Sequence, residues 1–210
     1  MRPFPEVVGA RLAILTGLYV GVVCSAQIGA NKIVELPWQD LTAPGGTYLI
    51  GLALALIEIA HHTAPTRRAG WRNAQIMIAM GFAASAILAA WIAIVDAMHA
   101  ARPTEFGFLA GTWRIVLGSL AAFAVSETID NGIGAWMRGR FPDPVRVVTT
   151  NAVSTPLDSL VFLAVAFGSL AFIEGQIVAK MEATVVLGIP IVLILRRVIG
   201  RADRSIVRTA

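Results

Sequence analysis

The sequence contains few charged residues. Lys, Arg, Asp and Glu make up 14% of its 210 positions, whereas hydrophobic residues make up 57% and the mean hydropathy is +0.74. Soluble globular domains carry about 25% charged residues. The composition therefore excludes an ordinary soluble domain and indicates a protein that lies mostly in lipid.

Cysteine and several catalytic motifs are also scarce or missing. The single cysteine, Cys24, excludes an intramolecular disulfide, and no group of Cys and His residues has the spacing of a zinc site. The sequence lacks the phosphate-binding loop GxxxxGKS/T, the HExxH motif of metalloproteases and the GxSxG nucleophile elbow. We therefore predict no cofactor and no metal, and we favour a membrane carrier over a membrane enzyme.

Long apolar stretches are what the sequence has in abundance. A helix of about 20 residues crosses the roughly 30 Å hydrocarbon layer. Short clusters of Pro, Gly and Arg separate six such stretches, and the links between them leave no room for a soluble domain. The sequence predicts an all-α fold, with residues 1–210 forming one six-helix membrane domain. The predicted spans are residues 12–30, 46–62, 74–98, 113–137, 147–172 and 177–195.

The Lys and Arg residues are distributed unevenly between the two predicted sides. Thirteen of the 17 lie at the two termini and in the links after the second and fourth spans, with Arg146 assigned to one of these links. Cytoplasmic loops carry such an excess. We therefore predict a multi-pass protein of the bacterial inner membrane with both termini in the cytoplasm. The sequence pI near 10 reflects this asymmetry and not a nucleic-acid partner.

Carboxyl groups interrupt the fourth and fifth spans. Glu127 and Asp130 share a helical face with Phe123, because residues spaced by three, four or seven positions lie on one side of a helix. An ionisable group within a bilayer costs several kcal/mol and usually faces a bundle interior or a wet cavity. A ligand or ion site is therefore favoured here over simple contacts between helices.

Further polar residues occur at the same helical spacing in other spans. Asn151, Asp158 and Phe162 share a face of the fifth span, and Gln27 and Asn31 lie four positions apart in the first. The second span ends with "IEIAHH", which contains Glu58. The sixth contains Lys180, which either extends toward a membrane surface or neutralises a carboxylate.

Two other functions remain open from the residues alone. An intramembrane hydrolase of the two-aspartate type could use Asp130 and Asp158, which lie in different spans. A structural subunit would use the polar residues only to bind helices together, but it leaves the carboxylates unexplained.

Five segments resemble the vitamin-uptake-transporter-like membrane proteins, a family that includes bacterial queuosine-precursor transporters. They are "ANK" (30–32), "PGGTYLIGLALALIEIAHH" (44–62), "RIVLGSLAAFAVSETIDN" (114–131), "NAVSTPLDSLVFLAVAFGS" (151–169) and "GQIVAK" (175–180). The resemblance implies six spans, both termini inside, and similarity to the substrate-binding subunits of energy-coupling-factor vitamin transporters. It also implies transport of 7-cyano- or 7-aminomethyl-7-deazaguanine. The family's Asp-x-x-His-Glu pattern falls on Glu58, His61 and His62, so its first and last residues differ here.

The polar residues suit such a ligand. A 7-deazaguanine presents an N–H and an amino group side by side, and a carboxylate accepts both. Glu127 or Asp158 is predicted to do so, Asp130 to pair with an aminomethyl cation, and Phe123, Phe162 or Trp113 to stack on the ring. The predicted substrate-binding residues are Gln27, Asn31, Glu58, Phe123, Glu127, Asp130, Asn151, Asp158, Phe162 and Lys180.

We therefore predict a membrane importer of a purine-like 7-deazaguanine. The alternative is a substrate-binding subunit for another vitamin-like molecule that needs an energising partner. Facilitated, proton-coupled and partner-driven transport all remain open, as does a homodimer.

Overall fold

The chain is mostly helical. The computed structural model describes residues 5–37, 39–98, 112–194 and 197, without the side chains of residues 5–8, 39, 96 and 127. The predicted helical, membrane-protein character is confirmed. The helices are α1 (Pro5–Gly29), α2 (Ile50–Thr63), α3 (Arg67–Ala97), α4 (Thr112–Met137), α5 (Asp143–Phe167) and α6 (Ile173–Ala183).

A short β-hairpin follows α1. Strand β1 (Ile33–Leu36) pairs antiparallel with β2 (Gln39–Pro44), so that Ile33 lies opposite Pro44. β-branched residues such as Ile33 and Val34 suit strands. The 3₁₀ turn Gly45–Leu49 then leads into α2. The prediction of an all-α fold is therefore wrong at this hairpin, which lies in a link between two apolar stretches.

Helix α6 contains a wide turn. After Ala183 the backbone forms a π-helical segment, Thr184–Gly188, and then continues as α-helix to residue 194. The amide of Ile189 donates to the carbonyl of Thr184, five residues back. Such segments are rare and frequently occur at functional sites.

Helix α5 ends earlier than the predicted fifth span. Gly168 follows Phe167 with a φ of 64°, and its amide donates to Ala164 O at 3.1 Å. Glycine adopts this left-handed conformation without steric cost and commonly terminates helices. The fifth helix therefore stops at residue 167 and not at 172, and the sixth begins at Ile173 and not at 177.

Among the described residues, four segments are long and apolar enough to cross a membrane: Gly9–Gly29, Arg67–Val95, Asp143–Phe167 and Ile173–Ile194. Helix α2 has 14 residues, and α4 has 26 but is not among these four. Six membrane crossings therefore remain a prediction. Large apolar side chains are exposed on the outer helices, including Ile87 at 70% and Val186 at 62%. Such side chains suit contact with lipid tails.

Helix α2 lies in the interior. Ten of its 14 residues are buried, as expected for a helix that is enclosed on nearly all sides. Gly51 permits the close contact between α2 and α6, because a Cβ atom there would lie 2.2 Å from the carbonyl oxygen of Ala183. This central position carries Glu58 and His61 into the protein.

Candidate substrate cavity and polar core

One cavity lies between α1, the 3₁₀ turn, α2, α4, α5 and α6. It has about 540 Å³ of free space, part of it open to the surroundings, and Val, Ala, Leu and Ile supply eight of its 18 lining residues. We call it the large cavity. Its polar lining residues are Gln27, Thr47, Ser119, Asp158, Gln176 and Lys180.

Two buried amide side chains in this wall have an oxygen without a partner. Gln27 is 2% exposed and donates from Nε2 to Ser85 Oγ at 2.7 Å, but its Oε1 has no hydrogen-bond partner among the described residues. The same holds for Oε1 of Gln176, which is 3% exposed. An unsatisfied buried polar atom costs about 1–3 kcal/mol. These oxygens are therefore natural acceptors for a ligand.

Gln176 is a lining residue that the site prediction does not include. It lies in the "GQIVAK" segment, four positions before Lys180 on the same helical face. That spacing is the signal that could have identified it.

An ion pair joins α5 and α6 at the cavity wall. The ammonium of Lys180 contacts Asp158 Oδ2 and also donates to Ser159 Oγ at 3.2 Å. Asp158 Oδ1 accepts from Ser126 Oγ at 3.0 Å. Lys180 is buried, so it neutralises Asp158 and does not extend to a membrane surface.

Two phenylalanines from adjacent helices also line the large cavity. Phe123 of α4 packs edge-to-face against Phe82, with ring centroids 6.2 Å apart. Phe162 of α5 packs the same way against Phe167, at 5.8 Å. Trp113 is 38% exposed and does not line this cavity.

Asn31 and Asn151 join helices and do not line the large cavity. Asn31 accepts from Thr112 Oγ1 at 2.8 Å, which ties the end of α1 to the start of α4. Asn151 accepts from Thr155 Oγ1 at 2.7 Å and donates to the hydroxyl of Thr184. Their bonds are those of interhelical contacts.

Two smaller cavities lie next to the polar residues of α4 and α5. One has about 200 Å³ of free space and is lined by Ser126, Asp130, Asp158 and Lys180, among others. The other has about 280 Å³. Its polar lining residues are Glu58, His61, Asp130 and Thr150. Asp130 therefore lies beside both small cavities and outside the wall of the large one.

A second ion pair joins Glu58 of α2 to Arg146 of α5. Glu58 Oε1 contacts Nη2 of Arg146, whose Nη1 lies 3.3 Å from Asp143 Oδ1. Arg146 is 2% exposed and belongs to the first turn of α5, so its assignment to a cytoplasmic link is wrong. Glu58 does not line the large cavity.

Arg138 covers the end of α2 close to this second pair. Its guanidinium donates to the carbonyl oxygens of Ala64 at 2.7 Å and Thr66 at 3.0 Å. Cations stabilise the ends of helices in this way. Burial, together with the positive charge of Arg146, lowers the pKa of Arg138.

The side chain of Glu127 lies outside the described residues, so its predicted role stays a prediction. Within the described part of the chain, no group of three His, Cys, Asp or Glu residues is arranged to hold a metal ion.

Apolar helices around a cavity with buried amides and an ion pair are the features of a multi-pass membrane protein. A sequence model described as a putative vitamin uptake transporter matches residues 51–195. A probable queuosine precursor transporter from Bacillus subtilis (strain 168) is 33% identical over 162 residues, which cover 72% of this chain and 68% of that protein. No solved structure matches. The chain belongs to the putative vitamin uptake transporter family.

Proposed function

We propose that this protein imports a 7-deazaguanine precursor of queuosine across the bacterial inner membrane. The observation that carries the proposal is the pair of unpartnered amide oxygens, on Gln27 and Gln176, in the wall of one apolar cavity. The name of the Bacillus subtilis relative supports the same class of substrate.

A 7-deazaguanine matches the chemistry of this wall. Its ring N–H and amino groups are donors, and the two amide oxygens and the Asp158 carboxylate are acceptors. Phe123 and Phe162 offer aromatic surface for the flat ring, and base stacking on aromatic side chains contributes about 1–3 kcal/mol.

The charges in the cavity favour the neutral 7-cyano compound. Asp158 is the carboxylate among the described lining residues, and Lys180 already neutralises it. A cationic aminomethyl group would need a further carboxylate. Asp130 lies beyond this wall, next to the smaller cavities, so its pairing with the aminomethyl compound is the less favoured use of that residue.

We further propose six crossings with both termini in the cytoplasm. Helix α2 and the preceding 3₁₀ turn together provide 19 residues, from Gly45 to Thr63, which is close to one crossing. In this orientation the hairpin lies on the outer side, and the large cavity lies in the outer half of the membrane. The Arg146–Glu58 pair lies in the inner half.

Single cysteines test this orientation in a Cys24→Ala background. Cysteines at the exposed residues Asp40 and Ser169 should react with an impermeant maleimide added to intact cells. Cysteines at Pro65 and Pro142, which are also exposed, should react only after the membrane is opened. The reverse pattern would contradict the orientation.

A subunit that needs an energising partner is the second candidate. It is favoured by the sequence, which lacks an ATP-binding motif, and by the family's vitamin-uptake description. A two-aspartate hydrolase is disfavoured, because Lys180 and Ser126 occupy the oxygens of Asp158 that would have to share a proton with Asp130.

Calorimetric titration and liposome uptake with the purified full chain test the proposal. We expect binding of 7-cyano-7-deazaguanine and uptake without any other protein. Xanthine is the control ligand, because a carbonyl replaces the amino group that the cavity acceptors would bind. Binding without uptake would favour the partner-dependent subunit. A protein that neither binds nor transports the deazaguanine would overturn the proposed function.

A further inference from the structure

Two buried titratable side chains have no role in the large cavity. Asp130 of α4 and His61 of α2 are 6% and 1% exposed. Each has one polar atom without a partner among the described residues, Oδ1 of Asp130 and Nδ1 of His61. Buried ionisable groups in membrane proteins often mark ion or proton pathways.

Asp130 is a buried carboxyl group of α4 that lines both small cavities. The hydroxyls of Thr150 and Ser154 hydrogen-bond to its carboxyl group, but it forms no ion pair with the described residues. Glu58 and Asp158, in contrast, are paired with Arg146 and Lys180. Binding one proton removes the uncompensated charge, because the carboxylate becomes a neutral acid.

The bonding of His61 leaves its second nitrogen free to accept a proton. Nδ2 of Asn131 donates to the carbonyl of Trp71 at 3.2 Å, so Oδ1 of Asn131 is the acceptor that contacts His61 Nε2. His61 therefore donates from Nε2 and is left with an unprotonated Nδ1. This atom and Asp130 belong to residues that line the same small cavity.

The two small cavities share lining residues with each other and with the large cavity. Asp130 lines both of them, and Asp158 and Lys180 line one of them together with the large cavity. The charged and titratable groups that line these small cavities with Asp130 are Glu58 and His61 from α2, Asp158 from α5 and Lys180 from α6, and Arg146 of α5 contacts Glu58. Polar groups thus extend from the ligand cavity to the interior of α2.

We propose that Asp130 and His61 form a proton-binding site, and that one proton enters the cell with each substrate molecule. The proton binds to the carboxylate of Asp130, and Nδ1 of His61 receives it when that acid is deprotonated. An inward proton gradient can drive accumulation in the cell only if the proton moves in the same direction as the substrate, so this inference rests on the proposed function.

The experiment uses the full chain in liposomes with labelled 7-cyano-7-deazaguanine, and valinomycin with potassium clamps the membrane potential. Exchange is measured at equal pH on both sides, and net accumulation is measured with the outside one pH unit more acidic. For one proton per substrate, that gradient should raise the accumulation ratio up to about tenfold.

Three variants assign the effect to the proposed site. In Asp130→Asn, the accumulation ratio should be the same with and without the gradient. His61→Gln keeps a donor for Asn131 but has no titratable nitrogen, and it should reduce the response to the gradient. Glu174→Gln alters an exposed carboxylate at the start of α6 and should respond as the wild type does.

The possible results separate this inference from the proposed function. The proton site alone is overturned if the wild type exchanges the base but its accumulation ratio does not change with an inward proton gradient. It is also overturned if Asp130→Asn shows the full gradient-driven accumulation. If Asp130→Asn does not fold, a pH dye inside weakly buffered wild-type vesicles decides. Acidification on substrate entry supports the site, and constant pH overturns it. Wild-type protein without binding or exchange overturns both proposals.

Discussion

Two buried ion pairs in the described part of the chain differ in what surrounds them. Arg146 and Glu58 join α5 to α2, and Asp143 supplies a further acceptor for the guanidinium. Lys180 and Asp158 join α6 to α5, but they form part of the wall of the large cavity, beside amide oxygens that have no partner.

The difference separates a structural pair from one that is available to a ligand. A buried pair is retained only when its charges and remaining hydrogen-bonding positions are satisfied, and removal of one member leaves an uncompensated charge. Both terminal nitrogens of Arg146 are paired, with Glu58 and Asp143, although its Nε has no partner among the described residues, and this pair should contribute mainly to stability. Lys180 and Asp158 border the large cavity, so their bonds can be exchanged for bonds to a substrate.

The largest expected effect is on stability and concerns the Arg146–Glu58 pair. Arg146→Met leaves Glu58 buried without its cation and should lower the free energy of unfolding by about 3–5 kcal/mol. Chemical denaturation in detergent measures this change. Arg72→Met, at an exposed position of α3, is the matched control and should change stability little. Equal stabilities of the two variants would mean that the Arg146 pair is not structural.

The second prediction concerns the pair at the cavity. Asp158→Asn removes the charge that strengthens hydrogen bonds to a ligand and should weaken 7-deazaguanine binding by about 1.5–3 kcal/mol. That corresponds to about a ten- to hundredfold loss of affinity. Glu127→Gln is predicted to have an effect of the same size.

Calorimetric titration of the folded variants tests both substitutions. Wild-type affinity in both Asp158→Asn and Glu127→Gln would identify these carboxylates as contacts between helices. The Lys180–Asp158 pair would then be structural, as the Arg146–Glu58 pair is expected to be.

A smaller effect is expected at the unpartnered amide. Gln176→Leu should weaken binding by about 0.5–1.5 kcal/mol, the usual contribution of one hydrogen bond. The empty protein should not lose stability through Oε1, because that atom has no partner to lose. Titration and unfolding are measured on the same sample. Gln75→Leu, on α3 outside the cavity wall, should leave the affinity unchanged.

The smallest effect should follow removal of an exposed charge. Glu174 lies at the start of α6, belongs to neither ion pair and is exposed. Glu174→Gln should change neither affinity nor the unfolding midpoint measurably. A clear loss of binding would mean that the binding site extends beyond the large cavity.

The sequence was sufficient to predict the helices because their signal is local. A run of apolar residues indicates a membrane helix by its length, as in α1 and α3. The hairpin lacks such a signal, because strand β1 has only four residues and its partner contains Asp40. The end of α5 depends on the conformation of Gly168, which hydropathy does not report.

The candidate site was harder to predict, because it depends on which helices become neighbours. Helical spacing correctly grouped Asp158 with Phe162, and both lie in the cavity wall. The same spacing grouped Asn151 with them, and Asn151 lines the cavity of about 200 Å³ together with Asp158, while its amide donates to Thr184. Glu58 lies on a helix buried on nearly all sides, so no single polar face indicated its partner, Arg146.

The π-helical segment Thr184–Gly188 separates two regularly wound stretches of helix, Ile173–Ala183 and residues 189–194. A π turn holds one residue more than an α turn, and each α-helical residue advances the chain by about 100° around the axis. Deleting one residue here would restore regular winding and rotate Lys180 by about 100° relative to residues 189–194. The same rotation would move the ammonium group of Lys180 away from Asp158. The one extra residue of the π turn therefore sets the direction in which the Lys180 side chain points.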